Sequence, residues 1–387
     1  MSKLKTGIIG LGILGNEHAD YLAKRPEVEV VAVADLRSEA AEQAAKRIGC
    51  QAYTSYEAML AEHKLDLAVV ATPDPLHAAP TLACLAARVP NILQEKPFAT
   101  TMADAEALYE AIQRQRARFF INFANRTSPL DIATRYTIQS GLLGQVVYGE
   151  SRLDDNISVP TKMWGARTRE WAAGSSTAYF LLSHVVDLLR FYFTPAEVRE
   201  VYAIKQQQVL GYTPDLYDAY LTFDNGLKVR VKAEWIKHID DLVEFYMCFS
   251  GSDGTLIYNK RGAFNCTPGW RANLHKDLPA AELLTHQQEL AKLGANVTAR
   301  MQWMDPAAGA LKAGTSMLLP ALEFDGLGYS EWMALDGLFI DAILQDTLMP
   351  STWQGLGPLP NQEDGMRQTV VVDAIVTSAE TNRVISL

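Results

Sequence analysis

The stretch Lys5–Asp35, KTGIIGLGILGNEHADYLAKRPEVEVVAVAD, constrains the fold more than any other. The apolar run Gly7–Leu11 is short and rich in glycine at its end, the pattern of a parallel strand buried on both faces. Gly10, Gly12 and Gly15 have the spacing G-x-G-x-x-G. The first glycine permits a tight turn, the second lets the backbone approach a pyrophosphate, and the third lets a helix pack on the strand. Ile13 and Leu14 open that helix, where N–H groups and the helix dipole suit a diphosphate. Val28–Ala34 is a second apolar strand. Asp35 closes it about twenty residues beyond the third glycine, where a carboxylate accepts both ribose hydroxyls of an adenosine. Leu36 and Arg37 complete the loop. Strand, turn, helix, strand and acid together predict a dinucleotide-binding site.

The chain has 387 residues, more than one ordinary core, so two domains are expected. A net charge of −10 with no offsetting basic run argues against a nucleic-acid partner. Cys50, Cys84, Cys248 and Cys266 are scattered, with no C-x-x-C pair and no Cys/His cluster, so neither a disulfide framework nor a metal site is expected. The first strand starts almost at Met1, and no apolar run is long enough for a bilayer. The expectation is a reduced, cytoplasmic enzyme with no membrane partner.

Strand and helix alternate up to residue 123, with buried strands at Leu65–Ala71, Asn91–Gln94 and Arg118–Phe123. This predicts an α/β Rossmann domain, a doubly wound parallel sheet, over residues 1–123. Ligands bind outside the carboxyl ends of such strands. The loops there are Gly10–Gly15, Asp35–Arg37, Thr72–His77, Glu95–Pro97 and Asn122–Arg126. Residues 124–387 read as an α+β domain with a large, mostly antiparallel open sheet. Its β-like runs are Glu197–Leu210, Leu216–Phe223, Leu227–Ile236, Leu242–Gly251 and Gly254–Asn259. Asp224-Asn225-Gly226 is a hairpin turn, and Gly174–Phe193 reads as one long apolar helix. Tyr217, Leu221 and Phe223 are expected to form a row on the uncovered face of the sheet. That face predicts a homo-oligomer, a dimer or tetramer.

The motifs Gly10-Leu-Gly12-Ile-Leu-Gly15, Asp35, Thr72-Pro73-x-x-x-His77, Glu95-Lys96-Pro97, Asn125-Arg126, Gly144 and Ser183-His184-x-x-Asp187 together resemble the glucose–fructose oxidoreductase / inositol dehydrogenase (Gfo/Idh/MocA) family. Glu363-Asp364-Gly365 and Ala374-Ile375-x-x-Ser378-Ala379 resemble its last helix. The resemblance runs the length of the chain apart from an insertion around Cys266–Phe324. It implies an NAD(P)-dependent oxidoreductase acting on a secondary alcohol of a sugar, sugar derivative or cyclitol. It makes Lys96 and His184 the catalytic pair. Lys96 would lie beside the nicotinamide with a depressed pKa, steadied by Glu95, and Asp187, one turn on from His184, would fix its tautomer or else pair with Arg190. The cofactor set extends to Thr72, Pro73, His77, Glu95, Asn125, Trp164 and Arg167. Asp35 favours NAD, with NADP second because of Arg37. Many members carry an aspartate four residues before the histidine, and here that position is Phe180.

Asp155, Lys162, Arg169 and Tyr179 join Lys96 and His184 as substrate candidates. Lys162, Arg167 and Arg169 pair with Asp154, Asp155 and Glu170, or they receive a carboxylate or sulfonate on the substrate. Trp235, Trp303, Tyr329 and Trp332 are candidates for stacking on a sugar or for core. Two readings of function remain: a dehydrogenase, and an NAD-dependent, redox-neutral glycosidase that oxidises C3 transiently, eliminates the aglycone, adds water and re-reduces. Neither uses the paired carboxylates of ordinary glycoside hydrolysis.

Overall fold

The computed structural model describes residues 3–261, 269–275, 277–301, 319–325, 333–353 and 355–387. The chain folds as two compact units. One comprises Met1–Ala124, Arg169–Ser183 and Glu331–Asp373, the other Asn125–Thr168, His184–Ser330 and Ala374–Leu387.

The first unit is built on a six-stranded sheet of β1 (Leu4–Ile9), β2 (Val28–Ala34), β3 (Gln51–Tyr53), β4 (Leu67–Val70), β5 (Asn91–Glu95) and β6 (Arg118–Asn122). The order is β3-β2-β1-β4-β5-β6, parallel throughout. The order reverses between β1 and β4, the switch point at which such sheets take ligands. Every residue of β4 and β5 is buried, as strands covered by helices on both faces must be. Ile9, Val70, Ile92, Phe98, Phe119 and Phe123 share one core cluster. At about 1.5–3 kcal/mol for each large apolar side chain, such packing holds the strand ends that carry the chemistry.

The second unit contains, among the described residues, a ten-stranded sheet. Its strands are β7 (Val146–Asn156), β8 (Val198–Gln206), β9 (Leu216–Phe223), β10 (Lys228–Lys237), β11 (Val243–Gly251), β12 (Thr255–Arg261), β13 (Gly269–Asn273), β14 (Thr298–Arg300), β15 (Ala321–Asp325) and β16 (Ile385–Ser386). The order is β14-β15-β13-β12-β11-β7-β10-β9-β8-β16, antiparallel except for β7 beside β10. The Asp224–Gly226 hairpin forms as expected between β9 and β10, with Gly226 at φ +87°.

The row Tyr217, Leu221 and Phe223 is buried, contrary to the expectation that it lies on the uncovered face. Side chains alternate along a strand, and the odd positions of β9 face the core. The uncovered face instead exposes Tyr148, Tyr202, Ile204, Tyr220 and Ile257, with an Arg230–Asp218 pair at 2.6 Å among them. The single helix expected over Gly174–Phe193 is also broken. A π-helical turn, Ala178–Leu182, precedes the α-helix Ser183–Phe193. Cys266, Trp303, Tyr329 and Trp332 lie outside the described residues. Among the described residues no helix is long and apolar enough to cross a membrane, and no His/Cys/Asp/Glu group has metal-site geometry.

Candidate active site

Gly10 sits at φ +91°, and a Cβ there would come within 2.6 Å of the Ala71 carbonyl oxygen. A Cβ on Gly15 would be 1.9 Å from the Gly10 carbonyl oxygen. Protein packing therefore explains both glycines. It does not explain Gly12, where an added Cβ meets nothing within 4 Å. The missing side chain leaves room for a phosphate against the backbone at the start of helix Ile13–Leu22, so this turn fits a dinucleotide.

Asp35 is organised by that turn. Its Oδ2 accepts the Leu11 N–H at 2.8 Å, and its Oδ1 accepts the Arg37 N–H and Nε–H, each at 2.9 Å. Burial raises the carboxyl's pKa, but the Arg37 and Leu11 hydrogen bonds outweigh it and leave Asp35 below the ordinary carboxylate range. A fixed anion here repels a 2′-phosphate. The Asp35→Ser variant frees Arg37 and removes that anion, a change of about 1–3 kcal/mol. The expected outcome is a rise of about 10- to 100-fold in NADP over NAD preference, read as the ratio of kcat/KM values. An unchanged ratio would contradict the assignment of Asp35 to the ribose.

Lys96 follows the C-terminal end of β5. Its turn is held by His77, whose Nδ1 and Nε2 lie 2.8 Å from the carbonyl oxygens of Pro97 and Thr72, and by Gln94, whose amide donates to Phe98 O at 2.9 Å. Thr72 and Pro73 belong to the loop that His77 braces. Lys96 is buried, and its Nζ donates to Phe180 O at 3.0 Å while lying 3.8 Å from the centroid of the Phe180 ring. Phe180 thus gives the ammonium a neutral carbonyl and a π face. Trp171 packs edge-on to Phe180 at 4.9 Å, and Ser175 donates to the buried Asp74 at 2.8 Å. Tyr179, beside Phe180, is half-buried. Arg169 and Leu36 are exposed, and Ile13 and Leu14 lie at the helix start.

Glu95 has partners beyond the lysine it was expected to steady. Its Oε1 accepts from His18 Nε2 at 2.8 Å and Asn122 Nδ2 at 2.7 Å, and His18 Nδ1 lies 2.6 Å from Asp336 Oδ2. Burial of His18 opposes its charge, but the two carboxylates prevail and raise its pKa from 6.5 to about 10. An imidazolium locked between two buried acids therefore underlies the Lys96 turn. Sequence reasoning missed His18 and Asp336. The available signal was a histidine at i+3 from Gly15, on the face of the helix that packs against the sheet.

In the second unit the motifs Asn125-Arg126 and His184-x-x-Asp187 interlock residue by residue. Asn125 Nδ2 is 3.1 Å from His184 Nδ1, and Arg126 forks onto Asp187 with bonds of 2.5–3.2 Å. Positions i and i+3 share one helix face, so two adjacent residues reach both. The Asp187 carboxylate takes Arg126, Asn125 lies against His184, and Arg190 forks onto Glu197 at 3.0 Å. Asn125, a cofactor candidate, also accepts from Lys260 Nζ at 2.5 Å. Lys260 bonds Asp131 Oδ2 at 2.6 Å, and Tyr192 and Tyr258 donate to Asp131 Oδ1.

Asp154 is held by cations of β10. Lys232 holds Asp154 at 3.2 Å and Lys237 lies at 3.7 Å. Burial nonetheless raises Asp154 to about 6. Asp155 accepts the indole N–H of Trp235 at 3.2 Å, and Trp235 is fully buried core. Lys162 and Arg167 are exposed and make no ion pair among the described residues. The Trp164 N–H donates to Thr168 Oγ1 at 2.7 Å.

Residues 4–123 match the oxidoreductase family, NAD-binding Rossmann fold, and residues 133–257 match the Gfo/Idh/MocA C-terminal domain. An inositol 2-dehydrogenase of Acidothermus cellulolyticus is 31% identical over 221 residues, 56% of this chain and 61% of its own. A levoglucosan dehydrogenase of Pseudarthrobacter phenanthrenivorans is 27% identical over 202 residues, 49% of this chain and 51% of its own. The matched part of the chain thus spans 61% and 51% of the length of these curated relatives. A solved levoglucosan dehydrogenase, in complex with NADH and L-sorbose, shares the fold with a TM-score of 0.74 at 21% identity, covering 100% of this chain and 99% of that one.

Proposed function

The chain belongs to the Gfo/Idh/MocA oxidoreductase family and carries its NAD-binding Rossmann domain, and we propose that it is an NAD-dependent dehydrogenase of a sugar, sugar derivative or cyclitol. The observation that carries this reading is Lys96, a buried lysine at a strand end of the NAD-binding unit, held by a carbonyl oxygen and an aromatic face. Gly10, Gly12, Gly15 and Asp35 would hold the dinucleotide, and when bound it supplies the hydride acceptor. The substrate loses a hydride from carbon and a proton from oxygen. Lys96, as the free amine, takes the proton and becomes the ammonium that Phe180 holds. The family resemblance would make His184 the second catalytic group, acting on the substrate hydroxyl. Positioning of the reacting groups supplies much of the rate.

Lys162 and Arg167, exposed cations in an acidic chain, favour a substrate that carries an anionic group. The test is a panel of neutral and carboxylated sugars and cyclitols incubated with NAD, followed as NADH. NADH growth in proportion to substrate supports a dehydrogenase, and a preference for neutral members would remove the anionic substituent. The redox-neutral glycosidase shares NAD and Lys96 but needs a further base to remove the C2 hydrogen.

We also propose a cytoplasmic homo-oligomer, a dimer or tetramer, through the face bearing Tyr148, Tyr202, Tyr220 and Ile257. Sedimentation at micromolar concentration should give a mass above one chain, and a monomer would sink this assembly.

A further inference from the structure

We propose that Lys260, acting through Asn125, sets the tautomer of His184, so that the imidazole offers its substrate an N–H at Nε2 and not a lone pair. The Lys260 ammonium has no lone pair. Its Nζ lies 2.5 Å from one terminal atom of the Asn125 amide and 2.6 Å from Asp131 Oδ2. That terminal atom must therefore be the amide oxygen. The amide NH2 is left facing His184 Nδ1 at 3.1 Å. A donor facing Nδ1 requires a lone pair there, so the ring proton sits on Nε2. A doubly protonated ring would set N–H against N–H.

Turning the amide over would place its NH2 against an ammonium. Lys260 and Asp131 are both buried, so water is poorly placed to repair the mismatch. Asp131 in turn accepts the hydroxyls of Tyr192 and Tyr258. Burial raises both phenols well above their ordinary pKa, so both remain donors. The relay has one direction from end to end: tyrosine hydroxyls and lysine donate to Asp131, lysine donates to Asn125, and Asn125 donates to His184.

For the reaction, this deepens the proposed function and rests on its assignment of His184 to the substrate. With Nδ1 occupied and Nε2 protonated, His184 has no site for the hydroxyl proton. It can only donate a hydrogen bond to its substrate, which leaves the proton to Lys96, and Lys260 and Asn125 are positioning residues. A donor at this place also gives the redox-neutral glycosidase no second base.

The test is a long-range proton–nitrogen NMR spectrum of the full chain labelled with 15N-histidine. The His184 signals are identified by their loss in His184→Gln. The expected result at neutral pH is a neutral ring protonated at Nε2. A ring protonated at Nδ1 would overturn the proposal. Asn125→Asp keeps an acceptor for Lys260 but presents only acceptors to His184, so it should move the proton onto Nδ1. An unchanged His184 spectrum in that variant would overturn the role of Asn125. Lys260→Met should release the lock and, with a sugar the native enzyme oxidises, lower kcat at least tenfold while leaving the KM for NAD unaltered. If Lys260→Met does not fold, the native and Asn125→Asp spectra decide. Native-like kcat beside the expected spectra would overturn the donor role without touching the dehydrogenase reading, which the NADH assay tests separately.

Discussion

Replacing Lys96 by methionine should lower kcat by about 10²- to 10⁴-fold, the usual contribution of a positioned proton acceptor. That corresponds to about 3–5 kcal/mol of lost transition-state stabilisation. Methionine keeps a long apolar stem over Phe180 and removes the amine, so the loss reports chemistry more than packing. The turn that presents residue 96 is held by His77 and Gln94, neither of which bonds the lysine head. NAD affinity, measured by titration, should therefore change less than about threefold, well under 1.4 kcal/mol. A variant within tenfold of native kcat would place the proton acceptor elsewhere.

The second large effect is on stability. His18→Leu should lower the unfolding free energy by about 3–5 kcal/mol, because it leaves Glu95 and Asp336 buried without their shared cation. Asp336 is the more exposed to this loss, since its other oxygen has no hydrogen-bond partner among the described residues. The urea midpoint at pH 7 is the measurement, and a variant within about 1 kcal/mol of native would contradict the ion-triad description. The pH dependence has a defined sign. The folded pKa of His18, about 10, lies above its ordinary 6.5. Its contribution is complete below pH 6.5 and is lost as pH rises through about 10, so the gap between native and His18→Leu should narrow over that window.

His18 also marks where sequence reading ended. Gly10, Gly12, Gly15 and Asp35 were legible because each answers a local demand: a turn, a close approach, a helix contact, a ribose. The parallel sheet was legible because its strands are short apolar runs separated by helical periods. A lone histidine at i+3 from Gly15 makes no such local demand. Its partners, Glu95 and Asp336, are 77 and 318 residues away in sequence. The same distance problem hid Lys260, 135 residues from Asn125. The uncovered sheet face was misread for another reason. Both faces of β9 carry tyrosine, so alternation alone does not say which row is covered. The π-turn that presents the Phe180 carbonyl to Lys96 has no signature in side-chain periodicity.

The measurement that bears most directly on the central claim is a stoichiometry. The purified protein, with excess NAD and a panel of neutral and carboxylated aryl glycosides, would be followed at once for NADH and for free phenol. One NADH is expected for each glycoside oxidised, with no phenol, and both signals should stay flat in Lys96→Met. Phenol released without net NADH would contradict the dehydrogenase reading, and would make the protein a redox-neutral glycosidase.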